Sequence, residues 1–582
     1  MSFSARRWQS LCPNLRQPWT VASVVIALLV SLPLLAVLSG VFADTRSVWQ
    51  HLLTTVLGEY VTNSLLLMVG VGFGVMVLGT GLAWLVTMCA LPGARCWQWA
   101  LLLPMAAPAY ILAYSYTELL DYYGPVQTAL RSLFGWQTLR DYWFPNVRSL
   151  PGAMLMFVLV LYPYVYLLAR SAFLNQSHIT LEASRSLGCT PTLGFLKVAL
   201  PLARPAIAAG VSLALMETLN DYGTVEYFAV PTFTIGIFRT WFAQGERLAA
   251  TQLAVLLLGF IAALVLVERF SRQHQRYYQI SNRQPTIPKY RLSKFASGLS
   301  LIACGLPIIL GFVVPSGVLV SLLWPQSVGA EGALSDSDSD FATPTTGDFL
   351  ASSAGGDRFW SFASNSLTLA AIAAAIAVIV AVVLAYSKRL QPSRLNQSMT
   401  QLATLGYAIP GAVIAVGAMM PLGKLDNAIA NWAKSTLGIS TGLLLSGTIG
   451  ALVFAYLVRF LAVAFGSVMT SLDNIKPNLD DAARSLGDRP GETLWKVHLP
   501  LMRGGLISAA ILVFVDVMKE LPATLIMRPP NFDTLAVRVY NLASDERLAE
   551  AAVPALAIVA VGLIPVILLS WQMGRGVQAG RD

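Results

Sequence analysis

The sequence predicts an all-α integral membrane protein with about twelve transmembrane helices, arranged as two parallel six-helix repeats. Three observations predict it. Of 582 residues, 56% are hydrophobic and only 12% are charged, about half the ~25% charge content of soluble proteins. Apolar runs of about twenty residues recur along the chain, each long enough to cross roughly 30 Å of hydrocarbon as a helix, and they lack the alternation of a membrane barrel. Finally, "EASRSLGCTPTLGFLKVALP" at 182–201 returns as "DAARSLGDRPGETLWKVHLP" at 481–500, with ten of the twenty positions identical.

In the first half the spans fall at about 20–42, 62–89, 98–118, 151–173, 203–222 and 250–268. In the second half they fall at about 298–323, 365–387, 401–421, 441–466, 505–521 and 551–573. The first run follows Arg6, Arg7 and Arg16 and precedes "SGVFADT". It is longer than the apolar core of a signal peptide and reads as an uncleaved anchor. With the N-terminus in the cytoplasm, the cytoplasmic loops carry about twice the Lys and Arg of the opposite loops, the sense that the positive-inside rule requires. Both termini are then cytoplasmic. Arg459 is left inside the tenth span, near its cytoplasmic end, where its side chain would snorkel. The net charge of +9 reports this topology and not nucleic-acid binding.

The resulting domain plan is a first repeat at 1–270, a basic cytoplasmic linker at 271–296, and a second repeat at 297–582. The second repeat carries an acidic external loop at 325–360, whose "SDSDSD" (335–340) lacks the Gly and distal Glu of a calcium loop and reads as solvated linker. Cys12, Cys89, Cys96, Cys189 and Cys304 lie in or near cytoplasmic segments, so no disulfide framework is expected. No metal site is firmly assigned.

The repeat extends beyond the quoted segment. "TNSLLLMVG" (62–70) matches "SNSLTLAAI" (364–372), Pro108 matches Pro410, and "GERLAATQLA" (245–254) matches "DERLAEAAVP" (545–554). Six spans per half keep corresponding spans facing the same way, which makes the duplication parallel, about an axis along the membrane normal. Both quoted segments then lie in the cytoplasmic loop between the fourth and fifth spans of their half. Within the first copy, Leu181–Leu187 reads as a short helix closed by Gly188 in a left-handed cap. Thr190 and Pro191 start a second one, and Leu200-Pro201 breaks it before the next span. Gly487, Pro490 and Leu499-Pro500 repeat the plan. Amphipathic connectors lying on the membrane surface would explain the Lys and Leu residues but not this matched Gly, Pro and Leu-Pro frame; two docking knobs for a duplicated cytoplasmic partner explain both shape and copy number.

The spacing E-A-A-x3-G-x9-I-x-L-P resembles the signature loop of bacterial ABC importer permeases. It reads here as Glu182-Ala183-Ser184, Gly188, Val198, Leu200-Pro201, and again as Asp481-Ala482-Ala483, Gly487, Val497, Leu499-Pro500. Ser184 for Ala, Asp481 for Glu and Val twice for Ile are mild departures. The resemblance covers nearly the whole chain and implies the type I importer fold in the bacterial inner membrane. It also implies two cytoplasmic ATP-binding subunits docked at Glu182, Ala183, Arg185, Gly188, Leu200 and Pro201, and at Asp481, Ala482, Arg484, Gly487, Leu499 and Pro500. An extracytoplasmic substrate-binding protein completes the set, with one copy of this chain per complex. The chain itself lacks a phosphate loop: "GAMMPLGKL" (417–425) fails on spacing and has no Ser or Thr after its Lys. No hydrolytic constellation occurs either. It is therefore expected to be no enzyme and to bind no cofactor, with ATP and magnesium used by the partners.

For the transport path the candidates are Glu217, Asp221 and Tyr222, with Asp516 and Glu520 at the matching places. Each acid pair is spaced i,i+4 and so would share a helix face, deep in the bilayer, where carboxylates line an aqueous path or meet a partner. An acidic ring with Tyr222 and "DYY" (121–123) would suit a hard cation such as iron(III). The structural alternative is that Lys519 and Arg residues neutralise these acids as packing ion pairs. The stretches 217–242 and 516–552 resemble the ferric-iron branch of the family, with thiamine as the runner-up substrate. A different class, a twelve-span secondary carrier, is also built from two parallel halves but has no use for docking knobs. A receptor or scaffold, the third class, gives no reason for the duplicated acids.

Overall fold

The computed structural model describes residues 17–42, 45–138, 140–174, 176, 182, 186, 188, 190–272, 289–323 and 357–578. Among them, eleven helices are long and apolar enough to cross a membrane, and a bent pair supplies a twelfth. The spanning helices of the first half are α1 (Pro18–Ser39), α2 (Leu57–Met88), α3 (Ala109–Leu120), α4 (Leu150–Leu174), α5 (Leu200–Asn220) and α6 (Arg247–Arg272). The second half begins with α7 (Lys294–Ile308), α8 (Asp357–Leu390), α9 (Gly411–Leu437) and α10 (Ile449–Asp473). The short α11 (Asn478–Ser485) follows, then α12 (Leu499–Lys519) and α13 (Leu548–Gln578).

The third span is not one straight rod. Ala94–Ala106 and Ala109–Phe134 meet at 85°, and the corner is Ala107-Pro108. A residue before Pro is pushed out of the helical region, and Ala107 is extended at φ −95°, ψ 131°. The matching corner, Ile409-Pro410, has Ile409 at φ −91°, ψ 128°. The matched prolines therefore end one helix and open the next, α3 and α9.

A second correction concerns Leu200-Pro201 and Leu499-Pro500, which do not break the chain. Pro191–Gly194 passes through a π turn, Phe195–Ala199, directly into α5, and Pro490–Thr493 passes through Leu494–His498 into α12. Pro201 and Pro500 come just after the π turns and lack the N–H that a continuous helix would return to an earlier carbonyl. The wide π turn supplies the slack: the Leu200 N–H reaches back to Phe195 O and that of Leu499 to Leu494 O.

The helices group into two compact units that cut across the sequence repeats. One comprises Met1–His51, Gly236–Leu258 and Ser364–Thr534. Here α1 packs on α9 and on the helix Arg394–Ala403, with Ser23 Oγ donating to Asn396 Oδ1 (3.1 Å) and Thr20 Oγ1 to Gln391 Oε1 (2.5 Å). The other comprises Leu52–Ile235, Gly259–Ala363 and Leu535–Asp582. Its centre is α2 against α4 and α5. A Cβ at Gly79 would stand 2.8 Å from Tyr162 O, and one at Gly210 2.7 Å from Val165 Cα, so these small residues set the approach of helices that lipid alone does not drive together. Tyr162 and Tyr166 add hydroxyl bonds to Leu101 O (2.7 Å) and Gln98 O (3.1 Å).

Candidate functional site

The second of the two matched loops is described throughout. Its first helix, α11, ends at Gly487, whose φ of +91° only glycine adopts without strain. The Gly487 N–H returns to Arg484 O and the Asp488 N–H to Ala483 O, both at 3.1 Å, the paired bonds of a Schellman cap. Asp481, Ala482 and Arg484 are exposed, while Ala483 turns inward. Asp481 and Arg484 lie 3.5 Å apart on the open face, too solvated to hold the helix by themselves. After the turn, Lys496 Nζ reaches Asp488 Oδ1 (2.8 Å) and Glu492 Oε2 (3.4 Å), and its hydrogen bond holds the Asp488 carboxyl below the usual carboxylate range. Leu499 is half-buried and Pro500 exposed.

In the first loop, Ala183 and Arg185 lie outside the described residues. Glu182 and Gly188 are exposed, and Gly188 is left-handed at φ +80°. Thr190 Oγ1 accepts the Leu193 N–H at 3.4 Å, the N-cap that the sequence predicts. Leu200 is half-buried and Pro201 exposed.

The loops carry a further feature that sequence reading missed. Leu196 is 57% exposed and Trp495 is 75% exposed, and the two occupy matching positions of the repeat. Leu486, beside the Gly487 cap, is 85% exposed. The signal was the repeat alignment itself, which puts an apolar residue at this place in both loops.

The candidate path residues take a different geometry from the predicted shared helix face. Helices α5 and α12 end at Asn220 and Lys519, and Asp221 and Glu520 turn into extended conformation, at φ −66°, ψ 138° and φ −71°, ψ 122°. Each then caps the short helix that follows. Asp221 Oδ1 accepts the N–H groups of Thr224 (2.8 Å) and Val225 (3.3 Å), and Oδ2 accepts the Thr224 hydroxyl (3.0 Å). Glu520 accepts from Ala523 N, Thr524 N and Thr524 Oγ1 at 2.9–3.1 Å. The physical cause is the cap itself: each acid accepts the N–H groups three and four residues ahead of it, the spacing of an N-cap, while Leu521, before Pro522, stays helical at φ −113°, ψ −52°. Glu217 and Asp516, one turn earlier, remain on their helices and are half-buried.

Arg459 does not snorkel. Its Nη1 lies 2.8 Å from Glu520 Oε1, with side chains 7% and 1% exposed; turning inward gives the guanidinium a carboxylate where lipid would offer none. Glu520 thus fits the ion-pair alternative, with Arg459 as its cation. Tyr222 Oη lies 3.2 Å from Tyr540 Oη. The "DYY" residues serve nearby loops: Asp121 stands 3.9 Å from Arg148, the Arg131 guanidinium covers the Tyr122 ring at 4.1 Å, and Tyr123 is 89% exposed.

The segments that carry these caps are tied back identically in both repeats. Asn63 Nδ2 donates to Pro231 O (3.0 Å), and Asn365 Nδ2 to Asp533 O (3.1 Å). These are the asparagines of "TNSLLLMVG" and "SNSLTLAAI", so that matched motif anchors the chain just beyond each acidic cap.

Comparison with known proteins finds the family model "Binding-protein-dependent transport system inner membrane component" matching twice, at 93–272 and 377–575. Among curated proteins the chain is similar to the Fe(3+)-transport system permease protein FbpB 2 of Haemophilus influenzae, 26% identical over 94% of this chain and 97% of that protein. It is also similar to the ferric transport system permease protein FbpB of Actinobacillus pleuropneumoniae, 20% identical over 93% of this chain and 76% of that protein. A putative 2-aminoethylphosphonate transport system permease protein, PhnV of Salmonella typhimurium, is 32% identical over only 22% of this chain and 47% of that protein.

Proposed function

The chain belongs to the family of binding-protein-dependent transport system inner membrane components, and from that premise we propose that it is the permease subunit of an ABC importer for iron(III). Two ATP-binding subunits dock on the cytoplasmic loops, one at Glu182–Pro201 and one at Asp481–Pro500. An extracytoplasmic binding protein delivers the substrate, and ATP with magnesium is consumed by the docked subunits. One copy of the chain supplies both docks, and both its termini lie in the cytoplasm.

The observation that carries the docking reading is the continuity of each loop with a span. Pro490–Lys519 is helical for 30 residues, about 45 Å at 1.5 Å per residue. One end holds the exposed loop and the other holds the Glu520 cap. Pro191–Asn220 does the same for Asp221. A partner that grips Leu486 and Trp495, or Leu196, therefore holds a lever whose far end is an acidic turn. Closing and opening of the ATP-binding subunits moves that turn without any intervening flexible joint.

Iron(III) is favoured over thiamine and phosphonate because the two Fe(3+) or ferric permeases named above match along 94% and 93% of this chain, whereas the phosphonate match covers 22% of it. Of the five candidates, Glu217 and Asp516 are the hard oxygen donors we propose for the path, while Asp221 and Glu520 are helix caps and Tyr222 meets Tyr540. The test is uptake of radioactive iron(III), with labelled thiamine in parallel, by cells with and without the chain. Energy-dependent iron uptake that vanishes with the chain is the expected result. Unchanged iron uptake with lost thiamine uptake would overturn the substrate while leaving the permease.

A further inference from the structure

The root of the second loop holds a polar cluster whose residues the first loop does not repeat. Arg389, in the last turn of α8, donates Nε–H to Asp480 Oδ2 (2.8 Å). Its other nitrogens donate to Leu472 O (2.5 Å) and Ile475 O (2.9 Å), at and just beyond the end of α10. Asp480 belongs to α11, and its second oxygen meets His498 Nε2 at 2.6 Å. A carboxylate can only accept, so the proton sits on the nitrogen that faces it. His498 is the last residue of the π turn that opens α12 and is 1% exposed. Its ring lies edge-on to Tyr386, with centroids 5.4 Å apart, and the Tyr386 hydroxyl donates to Pro490 O (2.6 Å). Arg389 and Asp480 together thus join the ends of α8 and α10, the docking helix α11 and the start of the lever.

The matching positions in the first half are Thr87, Leu181 and Ala199, none of which can make this pair of charge-assisted bonds. There Trp84, which matches Tyr386, packs on Phe173, Phe195 and Tyr290 with centroids 5.6, 4.9 and 5.9 Å away. The duplication has therefore kept the Gly, Pro and Leu-Pro frame of the loop but not the three residues of this cluster.

We propose that Arg389, Asp480 and His498 are positioning residues that lock α11 to α12, a lock whose residues the first loop lacks, and that ATP hydrolysis at the second dock is coupled to transport through it. This rests on the reading of both loops as ATPase docks. The test uses the complete complex in proteoliposomes, with the cognate binding protein loaded with iron(III), and compares His498→Leu, His498→Gln and Asp480→Asn with the unaltered chain. Three quantities are read: retained ATPase subunits, hydrolysis with and without the loaded binding protein, and iron delivered per ATP.

His498→Leu and Asp480→Asn, whose side chains are 1% and 19% exposed, should leave the ATPase subunits bound. Their stimulation by the binding protein and their iron per ATP should fall by about tenfold, within the usual range of coupling factors. His498→Gln, whose side-chain N–H can reach the same carboxylate, should stay close to the unaltered chain. Full stimulation in His498→Leu, equal losses in the Leu and Gln variants, or loss of bound ATPase subunits would each overturn the assignment. Should Asp480→Asn fail to accumulate in the membrane, the contrast between the two His498 variants decides. An unaltered complex that retains no ATPase subunits would overturn the docking reading, and the proposal with it.

Discussion

Replacing Arg459 by Met tests how the acidic turn after α12 is held. The Arg459 and Glu520 side chains are 7% and 1% exposed, with 2.8 Å between Nη1 and Oε1. Two unit charges about 4 Å apart attract by about 4 kcal/mol at an effective dielectric of ~20. Desolvating both costs a comparable amount, so the pair is worth little against a well-packed apolar pair, but deleting one partner costs about 3–5 kcal/mol because the other charge stays buried. Arg459→Met and Glu520→Gln should each destabilise by that order. Because both remove the same attraction, the double variant should fall short of their sum by up to ~3 kcal/mol. The assay is a double-mutant cycle on thermal midpoints of the purified chain, at one fixed scan rate because unfolding of such a protein is governed by rates. Each single variant should melt clearly lower, and the double variant above the additive expectation. Strictly additive losses, or an Arg459→Met variant as stable as the unaltered chain, would refute the claim that Arg459 is the counter-charge of Glu520.

Four further outcomes follow from the same geometry. Gly188→Pro combined with Gly487→Pro should abolish co-purification of ATPase subunits, because Pro fixes φ near −65° where these residues stand at +80° and +91°; retained subunits and normal uptake would remove the docking claim. Leu196→Asp and Trp495→Asp should each weaken that co-purification by at least tenfold without lowering the amount of folded chain, since both side chains are exposed and a partner would have to bury the new charge. Asn63→Ala and Asn365→Ala each lose one hydrogen bond to a carbonyl, worth about 1 kcal/mol, and should slow uptake to a similar degree; an effect confined to one repeat would break the equivalence. Glu217→Gln with Asp516→Asn should cut iron(III) uptake by more than tenfold at unchanged ATPase binding, and unimpaired uptake would remove both residues from the path.

The spans were legible because a bilayer imposes a length on every apolar run, and repetition at nearly constant offset made the loops legible without any partner. Gly188 and Gly487 could be placed because left-handed backbone has few occupants. What the sequence concealed lies where two local rules compete. Glu217 with Asp221, and Asp516 with Glu520, fit a helical spacing, yet the chain leaves the helix between the members of each pair because the second acid caps the helix that follows, and a cap prevails over periodicity. Leu200-Pro201 reads as a stop, yet a π turn absorbs the proline. Arg459 reads as a residue near a membrane surface because its partner is 61 positions away, and no local pattern announces a contact of that separation.

The π turns bear on why the Leu-Pro pair recurs at all. A proline at the head of a membrane helix cannot return an N–H, and in a plain α-helix its ring would crowd the carbonyl four residues back. Widening the preceding turn to five residues moves that carbonyl away and keeps the helix unbroken, in both repeats, at the same distance from the glycine cap. Gly and Leu-Pro therefore act as a set: Gly487 makes the corner at which α11 ends, and in both repeats the proline with its π turn makes the second short helix part of the span. A loop built with the corner alone would present a docking surface on a flexible joint. With both, a push on the docking surface we propose would become a displacement of α5 or α12, and the acids at their far ends would move with it.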